Sequence, residues 1–189
     1  WNEENNLATG AKSNPSRGLT KLGIQAVEHM NKIGMIIDVS HLNEKSFWDV
    51  LEVSNKPVIA THSNSRKYAN VDRNLTDQQV KALIAQNGLI GLNAVRYFVN
   101  DHEERQDVEH MAKQARYMAD LGAINHLACG FDFMDYLDGN FGIHSMAKGI
   151  QKADETQNLV EALEKEGFNH EEIRQITHIN ALNFLKKYL

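Results

Sequence analysis

Four short apolar runs recur along the chain, MIIDV (35–39), PVIAT (57–61), LIGLNAV (89–95) and HLACGFDF (126–133), with helical periodicity between them. A run apolar on both faces is the mark of a strand covered on two sides, as in a parallel sheet. Strand and helix in alternation therefore predict an α/β protein built from crossover units. The helices begin and end on recognisable signals. Leu22, Ala26, Met30 and Ile33 follow helical spacing, and Gly34 stands where a helix-terminating glycine belongs. Asn43 can cap a helix to about Val53, with Phe47, Val50 and Leu51 on one side. Thr76 and Gln79 form a capping box for a helix to Ala85, which Asn87-Gly88 closes. Val108, Met111, Ala115 and Met118 predict a further helix before Gly122. Closing helices are expected near 157–166 and as a pair within 169–188, the second stretch entered at Asn169 with Glu172 three positions on. Residues 1–17 read as a loop-like lead-in, and 134–150 as a long loop carrying Gly139, Gly142 and Gly149.

Two architectures fit this order: an open doubly wound sheet, or a segment of a (β/α)8 TIM barrel. No glycine-rich phosphate loop follows any run, which removes the usual mark of the dinucleotide-binding open sheet. The polar residues His41, His62, Asn93 and Asp132 instead gather where the runs end. In a barrel those carboxyl ends form one face, and that face carries the chemistry. Four units are about half of a barrel, which takes roughly 250 residues. The expectation is a single fragment, 1–189, forming the second half of a barrel with closing C-terminal helices.

Composition narrows the function. A net charge of −5 argues against nucleic acid, and no apolar run approaches the roughly 18 residues of a membrane span. Cys129 is the only cysteine, so no intrachain disulfide forms and no zinc is held by several thiolates; a cytoplasmic setting fits, and nothing at the N-terminus resembles a signal peptide. Any metal must use histidines and carboxylates. The chain opens on Trp1 in a polar stretch with no strand before it, which suggests part of a longer protein.

One histidine after a strand is an ordinary loop residue. Two on adjacent parallel strands about 4.8 Å apart can reach one ion at Zn–N distances near 2.1 Å, which makes His41 and His62 candidate ligands. Arg73 lies eleven residues after His62 in the same connection; it is either a surface charge or a bidentate clamp for an anionic substrate group. Asp132 is costly to bury without a partner, and beside a metal it can move a proton. Asp135 is its rival. Tyr97 either lines the pocket or packs. Asp38 either orients an imidazole or merely ends its strand, and the plainer role is favoured. His29, His110 and His170 sit among charged residues on helical stretches and read as solvated surface.

The segments GLTKLGIQAVEHMNKIGMIIDVSH, KPVIATHSNSR, RNLTDQQVKALIAQNGLIGLN, GFDFMD and ITHINALNFLK resemble, in order and spacing, the second half of the membrane (renal) dipeptidases, peptidase family M19. The resemblance runs from Gly18 onward, and WNEENNLATG also looks like a family loop. It implies a metal-dependent hydrolase barrel that cleaves small dipeptides with a hydroxide shared by two Zn²⁺ ions. By the same resemblance His41 and His62 bind one zinc, Arg73 binds the substrate carboxylate or developing oxyanion, and Asp132 handles the proton. Met134 and Asp135 stand where the family usually has Asp-Gly. The family's other ligands, a His-x-Asp pair and a bridging glutamate, have no counterpart here, so the isolated chain is expected to be inactive. A half-barrel with open edges should form a homodimer or require its missing N-terminal half. The alternatives are a non-catalytic half-barrel used for binding or assembly, and another amidohydrolase such as a deacetylase.

Overall fold

The computed structural model describes residues 1–137 and 142–189, so Gly139 lies outside the described residues. Three parallel strands pair in sequence order: β1 (Ile59–Ala60), β2 (Leu89–Leu92) and β3 (Leu127–Cys129). Ile59 and Ala60 face Leu89 and Ile90, and Ile90, Gly91 and Leu92 face Leu127, Ala128 and Cys129. The run MIIDV joins β1 through a single parallel bridge, Asp38 to Ile59, instead of a full strand. There the Val39 amide donates to Ile59 O at 2.8 Å, and the Ile59 amide to Ile37 O at 2.9 Å.

All the strands stop short of the apolar runs that announced them, and glycines show why. A β-carbon at Gly91 would lie 1.9 Å from the Thr61 carbonyl oxygen, and one at Gly130 only 1.8 Å from it. Thr61 therefore leaves the ladder and tucks its carbonyl against two bare α-carbons, which no larger residue permits. Asp132 consequently does not end a strand. Three residues beyond Cys129, it adopts a left-handed φ of 59°, a region in which aspartate is enriched, and it keeps solvent contact.

The helices follow their sequence signals closely. Helix α1 (Lys21–Ile33) is capped by Thr20 and closed by Gly34 at φ 79°. Its buried stripe is Gly23, Val27 and Asn31, however, and not the expected face, since Leu22 and Ile33 are exposed. Gly23 allows that stripe to approach the backbone of the lead-in: a β-carbon there would meet Leu7 O at 2.0 Å. Helix α2 (Glu44–Val53) is capped by Asn43, and α3 (Asp77–Ala85) by the Thr76–Gln79 capping box. A single turn, α4 (Arg96–Val99), precedes α5 (Val108–Met118). The N-cap of α5, Asp107, also binds His110 Nδ1 at 2.7 Å, so that half-buried histidine serves the cap and is not free surface. Helix α6 (Gln157–Lys165) follows. The expected closing pair is one stretch, α7 (His170–Arg174) and α8 (Asn180–Tyr188) joined through a π-turn at Gln175–Ile179. Asn180 anchors it by donating to Ile124 O and Leu127 O, both at 2.8 Å.

Ala60, Ile90, Leu92 and Leu127 from the sheet, with Val58 just before β1, are fully buried with Val80 and Leu83 of α3, Met111 and Met118 of α5, and Leu163 of α6. Residues 1–17 form no regular element, yet they are tied down. The Ala11 amide donates to His41 O at 2.8 Å, and Arg17 donates to Ala8 O, Thr9 Oγ1 and Asn5 O. This lead-in delivers Trp1 and Asn2 to the carboxyl end of the sheet.

Candidate metal centre

His41 and His62 meet at that end, with their Nε2 atoms 2.9 Å apart and ring centroids 4.9 Å apart. The neighbours of each ring decide where its proton sits. Arg73 Nη2, which can only donate, lies 3.3 Å from His41 Nε2, so that nitrogen is an acceptor and Nδ1 donates to Asn2 Oδ1 at 2.8 Å. Trp1 covers the same ring at 5.3 Å between centroids. His62 Nδ1 lies 2.6 Å from Thr61 Oγ1, whose hydroxyl donates to Asp38 Oδ2 at 2.6 Å, so His62 donates from Nδ1 as well. Both Nε2 atoms therefore present lone pairs to one another.

Two lone pairs at that distance repel unless a cation lies between them. Burial pushes the His41 pKa down to about 4, helped by the Arg73 charge and by His62. Burial likewise lowers the His62 pKa, with Arg73 adding to it and Asp132 and Asp38 opposing. A proton is thus a poor occupant at neutral pH, whereas a metal ion takes neutral imidazoles. A tetrahedral ion with nitrogens at about 2.1 Å separates them by about 3.4 Å, so the pair would open by about 0.5 Å. The residues fit a metal on donor chemistry. Among the described residues no group of three or more His, Cys, Asp or Glu is placed to hold an ion, so the pair has no third such ligand among them.

Arg73 is 5% exposed, which holds its pKa down at about 10. Its guanidinium lies over the Phe98 ring at 5.5 Å, and its Nη1 is buried with no hydrogen-bond partner among the described residues. The connection carrying it is held by buried amides. Asn64 donates to Asn93 O and Phe98 O, Asn74 donates to Ala69 O and Phe98 O, and Gln114 of α5 bonds both the amide and carbonyl of Ser65. Asn93 also reaches His62 O and Asp132 Oδ2, each at 3.3 Å, which ties the Asp132 carboxylate to the histidine pair.

The structure brings His41, His62, Arg73 and Asp132 to one place. Tyr97 is half exposed, and its hydroxyl accepts from Arg96 Nη2 at 2.8 Å; it has no hydrogen bond to the histidines. Asp135 sits exposed in a turn. Sequence reasoning missed Asn2, Ser40 and Thr61, and placed Asn93 only by its strand end. Thr61 and Ser40 adjoin the histidines in ATHS and VSH, and that adjacency is the signal that was available.

Two imidazoles with facing Nε2 atoms beside an arginine, at the carboxyl end of a parallel sheet, define an α/β protein whose donor set suits a metal ion. The chain belongs to the membrane dipeptidase family, peptidase family M19, whose family model matches residues 1–188. It is 29% identical to dipeptidase tcpJ of Claviceps purpurea over 90% of this chain and 38% of that one. A metallopeptidase of Rhodobacter sphaeroides, solved with a phosphinate mimic of the dipeptide L-Ala-D-Ala, superposes with a TM-score of 0.87 at 26% identity, covering 100% of this chain and 54% of that chain. A solved M19 metallopeptidase, dipeptidase AC, gives the same TM-score and identity, covering 100% of this chain and 56% of its own. The chain thus spans about half the length, or less, of the curated relatives it matches, and 54–62% of these solved structures.

Proposed function

We propose that this chain is the second half of a (β/α)8 dipeptidase barrel and supplies the ligands of one zinc ion of a pair. The observation that carries the reading is the close approach of His41 and His62 Nε2, 2.9 Å apart, with the partners of each ring drawing its proton to Nδ1. The remaining metal ligands would come from residues outside this chain. That reading is supported by the family membership and by the share of its relatives that the chain spans. By itself the chain would lack turnover.

Zinc bound there supplies Lewis acidity and lowers the pKa of water. Everything else falls to side chains. The buried Nη1 of Arg73, unpartnered and beside His41, suits the carboxylate of a dipeptide, for which a guanidinium offers two parallel N–H groups. Asp132, steadied by Asn93, takes the proton of the attacking water and returns it to the leaving amine. Tyr97, with Arg96 stacked on it at 4.6 Å, borders the substrate's approach. The dipeptide mimic bound by the Rhodobacter sphaeroides relative supports a small dipeptide as substrate. Among the described residues no helix is long and apolar enough to cross a membrane. A cytoplasmic setting is proposed on the single cysteine, and a homodimer as one way to cover the open sheet edges.

The test is His62→Ala in the full-length protein. Zinc content should fall and dipeptide hydrolysis should be lost while the fold survives, because His62 is a half-buried residue at the end of the sheet. Unchanged zinc stoichiometry would sink the reading.

A further inference from the structure

Asp38 opens the DVSH segment that ends in His41, and its carboxylate makes four hydrogen bonds. Oδ1 accepts from the Ser40 amide at 3.0 Å, the Ser40 hydroxyl at 2.7 Å and the Thr61 amide at 3.1 Å. Among the described residues Oδ2 accepts only from the Thr61 hydroxyl, at 2.6 Å. An ionised carboxylate can only accept, so the single hydrogen on each hydroxyl is committed to Asp38. Burial pushes the Asp38 carboxyl up, but these bonds from Thr61 and Ser40 outweigh it and hold it below its ordinary range. The 3.3 Å contact between the two hydroxyls has no hydrogen left to share. Each oxygen is then free only to accept, and both accept from His62. Thr61 Oγ1 takes the ring Nδ1 hydrogen at 2.6 Å, and Ser40 Oγ takes the backbone amide at 3.1 Å.

We propose that Asp38 is a positioning residue that acts through Thr61 to fix the His62 ring as its Nδ1–H tautomer, leaving Nε2 bare for a metal ion. The proposal rests on the metal reading of His41 and His62 given above. It goes further by assigning the polarity of the pair to a carboxylate that touches neither Nε2 atom. A histidine ligand whose other ring nitrogen is held in this way is both oriented and made more basic.

The chain of donors makes Asp38→Asn a directional test. Two of the three donors to Oδ1 are backbone amides, which cannot turn round. The asparagine oxygen must therefore occupy the Oδ1 position and its NH₂ the Oδ2 position, facing Thr61. Thr61 Oγ1 then accepts from the amide, and its hydroxyl hydrogen is released to donate to His62 Nδ1. The ring proton moves to Nε2, where it blocks a metal. A carboxylate that only braced the turn would leave the tautomer unchanged.

Two measurements on the full-length protein decide the matter. Long-range ¹H–¹⁵N spectra of the metal-free protein should show His62 protonated on Nδ1, and on Nε2 in Asp38→Asn. Competition of Zn²⁺ against a chromophoric chelator should show roughly 10- to 100-fold weaker binding in that variant. Thr61 is solvent-exposed, so its replacements do not threaten the core. Thr61→Val should lose the Nδ1 preference and the affinity together, and Thr61→Ser should keep both. An unchanged His62 tautomer in Asp38→Asn and Thr61→Val overturns the proposal, and so does wild-type zinc affinity in both. His62→Ala separates the two levels. Zinc binding that ignores His62 removes the metal reading and the proposal with it, whereas binding lost in His62→Ala but intact in Asp38→Asn overturns the proposal alone.

Discussion

Glycine inside a strand is ordinarily a weakness, and its replacement by alanine is expected to gain about 0.5–1 kcal/mol from reduced chain entropy. At Gly91 and Gly130 the expected sign is opposite. The new β-carbons would lie 1.9 and 1.8 Å from Thr61 O, against a normal carbon–oxygen contact of about 3.2 Å. Thr61 must therefore retreat by about 1.3 Å, or the strands must part. Both movements are resisted. The Ser63 amide donates to Gly91 O at 2.8 Å, the Gly130 amide to Leu92 O at 3.1 Å, and the Thr61 amide and hydroxyl are both held by Asp38. Overpacking of this kind costs about 1–3 kcal/mol. Each alanine variant should thus lose that much in urea unfolding. Because His62 follows Thr61 directly, zinc affinity should fall as well, even under conditions where the variants are folded. Equal or greater stability of Gly91→Ala or Gly130→Ala, with wild-type zinc affinity, would refute the close approach as the reason for these glycines.

In the full-length protein, Arg73→Lys keeps the charge but loses the planar fork, so KM for dipeptides should rise roughly 10- to 100-fold with kcat less affected; steady-state kinetics on free and C-terminally amidated dipeptides check it. Asp132→Asn preserves the left-handed backbone, which asparagine also tolerates, and removes the base. Its kcat should drop by roughly 10² to 10⁴ with zinc content retained, and a wild-type kcat would leave Asp132 without a role in proton transfer. The folded pKa of His41 near 4 lies below its ordinary value of about 6.5, so the unfolded chain binds the extra proton between the two. The metal-free protein should lose stability as pH falls from about 6.5 towards 4, and the loss should be smaller in His41→Gln when urea midpoints are compared across that range.

Much of the helical framework was legible because helix ends are local chemistry. Thr76 with Gln79, Asn169 with Glu172, Asn43 and Gly34 act over three or four residues, and each serves the role its spacing announced. The buried face of α1 was not legible. Hydrophobicity favoured Leu22 and Ile33, but what decides the face is Gly23, through an approach to Leu7 some sixteen residues away. Strand ends were misread for the same reason. Thr61 leaves the ladder because of Gly91 and Gly130, which lie thirty or more residues further along the chain. Contacts between distant segments set these outcomes, and a local pattern carries no record of them.

The site divides along the same line. His41, His62, Arg73 and Asp132 were visible because strand–helix alternation fixes where strands end, and their side-chain types are chemically conspicuous. What would make two histidines a metal centre instead of a mutually protonating pair is the location of two protons, and that depends on residues with plain sequence signatures. Asn2 settles one ring by accepting from Nδ1, while Asp38 settles the other through a threonine whose only hydrogen it claims. A hydroxyl can donate or accept, so no reading of ATHS alone could fix its direction. The carboxylate removes that freedom because it has nothing to donate. The polarity of the centre therefore originates at Asp38, the residue of the group whose plainer reading, as the end of a strand, had looked sufficient.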